Sequence, residues 1–544
     1  MPVASPLPPR SCAASAGPGA TAPYGLAAPH ALATEAGAAA RRAGGNAVDA
    51  ALAAAIALTV VYPHQCAVGG DLIALVALPD GRVVSVNGSG AAAAAADPAA
   101  VPGTRMPVTG ALTVTVPGVV AGWATLHELA GRLPWERLFT DAVAHARDGV
   151  PTAPGVATAL RAEAALLGDD PGMRAVFFPD GAPLAEGAPM RQPALADSLA
   201  RIAAEGPAAL YRGTLGARLV DLLRGKGSAL TREDLERHVT ETDEPLSADF
   251  HGEEYLTAPP NSQGLHLLQA LGVLERLPRD VQLLGSDADL TARVFDAITR
   301  DRERYLADPR QVDVPVAELL GAARLDEIAE QVQRAPRPSP SGVLGARRNE
   351  AARPSGDTVA VVAADGEGYA VSLIQSLFHS FGSGILDPAT GIVLHNRGSF
   401  FDLAPGAPNR LAGGKRPAHT LMPVLTRLDG VVTGAHGTMG GKAQPQIHAQ
   451  LALRIAAGDR PTEALRRPRW VIGGLGVDEP AQVASVEGAV PEEVTAALAR
   501  SYQVVVCAEQ DEQVGHGQLV RRSASGAGFE AGTDPRSDGS VSVV

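Results

Sequence analysis

The sequence predicts an α+β protein, on three observations. Helical apolar patterns dominate as far as about residue 306, a Pro/Ser/Gly/Arg-rich stretch interrupts the chain at 336 to 355, and four strand-like runs follow from Thr358 onward. At 544 residues the chain can build a substantial core, as one large domain or several ordinary ones. A net charge of −13, no sustained basic run and only 4% aromatic residues leave neither a phosphate track nor a base-stacking platform, so nucleic acid is not an expected partner. Cys12, Cys66 and Cys507 are too few and too scattered for a disulfide framework or a zinc site, which points to a reduced, cytoplasmic protein.

In chain order, residues 1 to 28 are rich in Pro, Ala and Ser, lack both a basic head and a continuous apolar core, and read as a disordered leader. "HALATEAGAAARRAG" and "NAVDAALAAAIALTVV" read as two helices divided at Gly44-Gly45, with Asn46 capping the second. The apolar run Ala51 to Val61 is too short to span a bilayer, so no membrane partner is expected. "LIALVAL" and "RVVSVNG" form a hairpin about Pro79-Asp80-Gly81, and "ALTVTVPG" at 111 to 118 is strand-like. Helical patterns run from Val119 to about Leu306, broken by loops such as "TAPPNSQG". After the exposed flexible loop come "TVAVVAA", "YAVSLIQS", "TLMPVLTRL" and "GVVTGAH" as strands.

The junction "RPSGDTVAVVAA" carries the chemistry. A threonine hydroxyl is a weak nucleophile unless a base sits beside it, and an N-terminal threonine supplies its own base in the α-amine, whose ordinary pKa is about 7.7 to 8.0. That amine exists only if the Asp357–Thr358 bond is cut, and Gly356 gives the preceding loop the backbone freedom an attack on the Asp357 carbonyl requires. By itself Thr358 is also compatible with a threonine that starts an edge strand.

Six stretches decide between these readings: "AGGNAVDAALAAAIALTVVYPHQCAVGGDLIALVA", "VPGVVAGWATLHELAGRLPWERLFTDAVAHARDGV", "GDTVAVVAADGEGYAVSLIQS", "FGSGILDPATGIVLHNRGSFF", "GKRPAHTLMPVL" and "GTMGGKAQPQIHAQ". In this order they resemble the γ-glutamyltransferase family over roughly residues 29 to 460. The resemblance implies an N-terminal nucleophile (Ntn) hydrolase with a four-layer αββα sandwich. It also implies a precursor that cleaves itself at Asp357–Thr358 into a large subunit, 29 to 357 after the leader, and a small subunit, 358 to 544. Thr358 takes the place of the family nucleophile. Ser376, eighteen positions later, takes that of the hydroxyl that orients it, and Gly440 and Gly441 match the oxyanion-hole glycines. His419 and Thr420 stand on the substrate side, where γ-glutamyl-specific members have two serines. The implied partners are a small-molecule substrate and the two subunits themselves, with a dimer of these left open; no cofactor and no metal are implied.

The departures bear on substrate. The arginine that clamps a γ-glutamyl α-carboxylate is replaced by Ser89 and a run of alanines, and the segment that holds the α-ammonium carries Ser399 and Phe400, with the cation Arg397 nearby. Arg397 is therefore expected to face a carboxylate or oxo group of another substrate, or a structural partner. The "NRG" and "HT" signatures follow a branch that includes amide hydrolases of non-glutamyl substrates. Genuine γ-glutamyl transfer, acyl carbon–carbon cleavage and a catalytically inactive binding homologue remain as alternatives. A thiol site at His64 and Cys66 is the weaker reading, because nothing in the sequence orients the pair. "GSGAAAAAA" lacks dinucleotide-loop spacing, and Asp71 is the only carboxylate beside Gly69-Gly70 for a metal.

Overall fold

The computed structural model describes residues 22–278, 281–334, 343–344, 357–473, 482–526 and 528–544. Two antiparallel sheets pack face to face with helices on both outer faces, the αββα order expected. The first sheet has seven strands in the spatial order Ser540–Val543, Tyr24–Ala28, Asp357–Asp365, Ala370–Phe378, Asp71–Ala77, Val83–Asn87 and Glu241–Asp243. The second has six, in the order Phe529–Thr533, Gly517–Arg522, Val431–Thr438, Val424–Leu428, Glu253–Thr257 and Leu246–Phe250.

The outer face of the first sheet carries the helix Ala47–Val61, every residue of which is buried. Asn46 caps it, accepting from the Val48 and Asp49 N–H groups while Asp49 accepts from the Asn46 N–H, so its first orphan donors are satisfied without water. Small alanine side chains let neighbouring helices and strands approach it from all sides. The second sheet is covered by the helices Gly264–Leu274 and Gln444–Ala456. Between the sheets lie compact residues such as Ala360, Val362, Ile374, Leu425 and Ala435. At Gly437 even a Cβ would come within 2.7 Å of the Ala360 Cβ and 2.8 Å of Ile374 Cδ1, so this glycine sets how closely the sheets meet.

Four expectations need correction. The leader does not extend to residue 28: Tyr24–Ala28 is a fully buried strand between the C-terminal strand and Asp357–Asp365, while residues 1–21 lie outside the described residues. Thr358 accordingly lies in a central strand and not an edge strand. Residues 111 to 118 are a 3₁₀ turn, Ala111–Thr113, followed by extended chain that joins no sheet. Pro117 has no N–H to offer a ladder, and Val116 instead presses on Gly90, where a Cβ would sit 1.6 Å from the Val116 carbonyl oxygen. The stretch from 119 to 306, expected to be helical, contains five strands, Val150–Pro151, Pro189–Met190, Glu241–Asp243, Leu246–Phe250 and Glu253–Thr257. The last two turn at His251-Gly252, both at positive φ, a pair that lacks the usual Asn-Gly or Asp-Gly signature. Most of the loop expected at 336 to 357 lies outside the described residues. Within it, Val343–Leu344 pairs with Gln503–Cys507 and Asp357 begins a strand. Among the described residues no helix is long and apolar enough to cross a membrane.

Candidate active site

One hydroxyl joins the two sides of the Asp357–Thr358 bond. Thr358 pairs with Ser376 across neighbouring strands, and Thr358 Oγ1 donates to Ser376 Oγ at 3.0 Å. Ser376 Oγ donates in turn to the Asp357 carbonyl oxygen at 2.5 Å and accepts the Phe378 N–H at 2.7 Å. The register slips here, with Asp357 opposite Phe378 and Leu377 passed over, and Phe378 takes φ +82°, a region that costs a bulky residue about 1–3 kcal/mol. The bulge aims both the Phe378 N–H and the Thr358 hydroxyl at one oxygen. Ser376 thus spends its single proton on the carbonyl and its lone pairs on two donors. The Asp357 side chain is buried, with no partner for Oδ2 among the described residues; burial, followed by the charges of Glu512 and Glu163, holds its carboxyl well above the usual range.

The polar row continues along the same face. Ser376 pairs with Asp71 on the next strand, and Ser89 lies two residues beyond Asn87, the partner of Ile73. Asp71 Oδ2 lies 3.3 Å from His395 Nδ1 and 3.2 Å from His419 Nε2, and Oδ1 accepts the Gly90 N–H. Burial alone would raise this carboxyl, but the two histidines offset that and leave it ionised, below the ordinary range. His419 is held as a neutral ring, pushed down to about 3 by burial and then by Arg397; its Nε2 donates to Asp71 and its Nδ1 accepts the Leu421 N–H. Ser89 is also spoken for, donating to Asn87 Oδ1 at 2.7 Å and accepting from Asn261 Nδ2 at 3.2 Å. Arg397, 1% exposed, donates from Nη2 to Thr420 Oγ1 at 3.0 Å and lies with its guanidinium carbon 3.7 Å from the Phe378 ring centre.

The facing sheet brings the glycines to this level. Because Gly437 meets Ala360, two residues before it Ala435 packs with Val362 and Ala364, and the strand Val431–Thr438 runs toward the Thr358 end as it leads into Gly440-Gly441. Both glycines are at positive φ, +147° and +53°, and neither backbone N–H has an acceptor among the described residues. Gln263 holds the segment by donating both amide hydrogens, to the Thr420 carbonyl at 2.9 Å and the Gly441 carbonyl at 2.8 Å. Arg302 reinforces it through the Lys442 carbonyl at 2.8 Å. On the other flank, Gly515 packs on Met439 and Gly440, and buried Arg469 grips the Gly515 carbonyl at 2.6 Å.

The structure therefore brings Thr358 together with Ser376, and Arg397 with Thr420, while Ser89 and His419 serve polar clusters behind them. His64 and Cys66 do not form a thiol site: burial pushes the thiol up to about 12 and the imidazole down to about 3, and neither His64 nitrogen has a hydrogen-bond partner among the described residues. Sequence reasoning missed Asp71 and Gln263 as members of the site. Asp71 was weighed only as a lone carboxylate beside Gly69-Gly70, too little for a metal; Gln263 sits in an irregular loop with no periodic signal.

A family model described as gamma-glutamyltranspeptidase matches residues 33–544. The chain is 36% identical to the oxamate amidohydrolase proenzyme of Klebsiella pneumoniae, over 95% of this chain and 98% of that one. It is 33% identical to the glutathione hydrolase-like YwrD proenzyme of Bacillus subtilis, over 94% and 97%. Among solved structures, cephalosporin acylase from Bacillus halodurans superposes with a TM-score of 0.86 at 31% identity, covering 98% of both chains.

Proposed function

Since this chain belongs to the gamma-glutamyltranspeptidase family, as an Ntn hydrolase of amidohydrolase type, we propose that Thr358 is its nucleophile and that it acts on a small amide other than a γ-glutamyl compound. The observation that carries the reading is the Ser376 hydroxyl set between Thr358 Oγ1 and the Asp357 carbonyl oxygen. In the precursor, Thr358 Oγ attacks the Asp357 carbonyl carbon, its proton passes to Ser376 Oγ, and the Ser376 proton passes to the carbonyl oxygen. The carbon–nitrogen bond then breaks as the nitrogen regains a proton, leaving an ester on Thr358 Oγ and a free amine. Water hydrolyses the ester, giving a large subunit that ends at Asp357 and a small subunit of 187 residues beginning at Thr358.

In turnover the Thr358 amine takes the hydroxyl proton, the hydroxyl attacks the substrate amide, and the Gly440 and Gly441 N–H groups receive the oxyanion. The amine returns the proton to the leaving nitrogen, and water, activated by the same amine, releases the acid. Arg397 and Thr420 line the substrate side, with Ser89 and His419 supporting it from behind. The non-glutamyl reading draws on the uncharged Ser89 and Phe400 and on relatives named for oxamate and cephalosporin. Cys66 and Cys507 are free, in keeping with a cytoplasmic location.

Intact-mass analysis of the expressed protein tests the reading. Two chains that meet at Asp357 and Thr358 are expected, and Thr358→Ala should remain a single inactive chain. An uncleaved, active Thr358→Ala protein would refute it.

A further inference from the structure

Arg397 presents a buried charge that the steps above leave unmatched. Nη2 donates to Thr420 Oγ1, but Nε and Nη1 are buried with no hydrogen-bond partner among the described residues. The guanidinium carbon lies 3.7 Å from the Phe378 ring centre and 5.7 Å from that of Phe400, cation–π contacts that leave the edge donors unmet. Asp71 does not neutralise it at contact, because its oxygens are occupied by His395, His419 and the Gly90 N–H. A buried guanidinium with unmet donors is costly, and its fork matches a carboxylate.

The location adds which half of the substrate is read. Phe378 is the register partner of Asp357, and its own N–H reaches the Ser376 oxygen that touches Thr358. Asp357 is the acyl side of the bond that Thr358 attacks in the precursor, so the surface carrying Arg397 flanks the acyl side of the nucleophile.

Resting on the Thr358 reading, we propose that Arg397 binds a carboxylate on the acyl half of the substrate, so that the preferred substrates are monoamides of short dicarboxylic acids. Asp71, the carboxylate of this polar row, is already committed to two histidines and the Gly90 N–H and is not free to receive an ammonium beside the substrate's carboxylate. The class is therefore a carboxylate without the α-amine of a glutamyl group.

The test uses the cleaved enzyme and matched pairs: succinamate against butyramide, malonamate against propionamide, and glutaramate against glutamine. The carboxylated member of the first two pairs should win by about 100-fold in kcat/KM, and glutaramate should exceed glutamine. Arg397→Met should collapse the first two ratios toward one, with Arg397→Lys intermediate. As a measurement that needs no variant, calorimetry should show malonate or succinate binding the wild type at least about tenfold more tightly than propionate or butyrate. Ratios near one in the wild type, or equal binding of mono- and dicarboxylates, would overturn the proposal. Self-cleavage and the Thr358→Ala result, scored on the same preparations, report separately on the nucleophile, so the carboxylate site can fail while that reading stands.

Discussion

At the scale of single residues, Ser376 and Gln263 separate the two reactions proposed for Thr358. The Asp357 carbonyl accepts from Ser376, whereas the Gly440-Gly441 segment is held through Gln263. Ser376→Ala removes a neutral hydrogen bond worth about 0.5–1.5 kcal/mol in stability, so the protein should fold. It should nevertheless slow self-cleavage by roughly 100- to 1,000-fold, the usual loss for an oxyanion donor, read as the rate at which precursor disappears on gels. Gln263→Met should leave self-cleavage at its wild-type rate while lowering kcat of the cleaved enzyme by about tenfold or more, because the Gly440-Gly441 segment loses its tether. Equal loss in both reactions would show that the two share their donors. Thr358 could be proposed from the sequence because a linker running straight into a strand through Gly-Asp-Thr is unusual at one bond, and the strand that begins there is present. Gln263 could not, since its partners are backbone carbonyls more than 150 residues away.

At the scale of elements, the level at which two strands cross decides where the glycines lie. Gly437 permits that crossing: a Val there would drive Cβ into Ala360, whose own Cβ is fixed to the facing sheet and cannot swing aside. Gly437→Val should cost about 1–3 kcal/mol by overpacking, measured as a fall in denaturation midpoint. Ala360→Gly in the same chain should restore part of it, the non-additivity expected of contacting residues. The strands around the nucleophile were readable from alternation and turn signals. The bulge at Phe378 was not, because it is set by register against Asp357 and not by the composition of either strand. Likewise the hairpin Leu246–Phe250 and Glu253–Thr257, read as helical, is made a strand pair by its place at the edge of the second sheet.

At the scale of the whole molecule, both sheets mix strands from either side of the proposed cut. In the first sheet Asp357–Asp365 lies between Tyr24–Ala28 and Ala370–Phe378, and in the second Val424–Leu428 pairs with Glu253–Thr257. Cleaved chains should therefore co-elute as one species in size-exclusion chromatography and separate only in denaturant; spontaneous dissociation in buffer would contradict the topology. Stability should also depend on Glu512, which Gln65 contacts at 2.6 Å and which burial, followed by the charge of Asp538, raises to about 7. A carboxyl raised in the folded state stabilises below its ordinary value, and that stability is lost as pH rises through about 7. The midpoint of thermal unfolding should fall between about pH 5 and about pH 8, and Glu512→Gln should flatten that fall. The sequence alone determined the class of fold and the family, and it proposed the bond to be cut and the nucleophile, because these depend on local periodicity and on motifs carried within short stretches. Only the tertiary structure decided that Ser89 and His419 are committed to neighbours, that Asp71 anchors the polar row, and that Arg397 is buried with donors to spare. Those properties belong to pairs of residues far apart in the chain, and folding alone sets the distances and burial that define them.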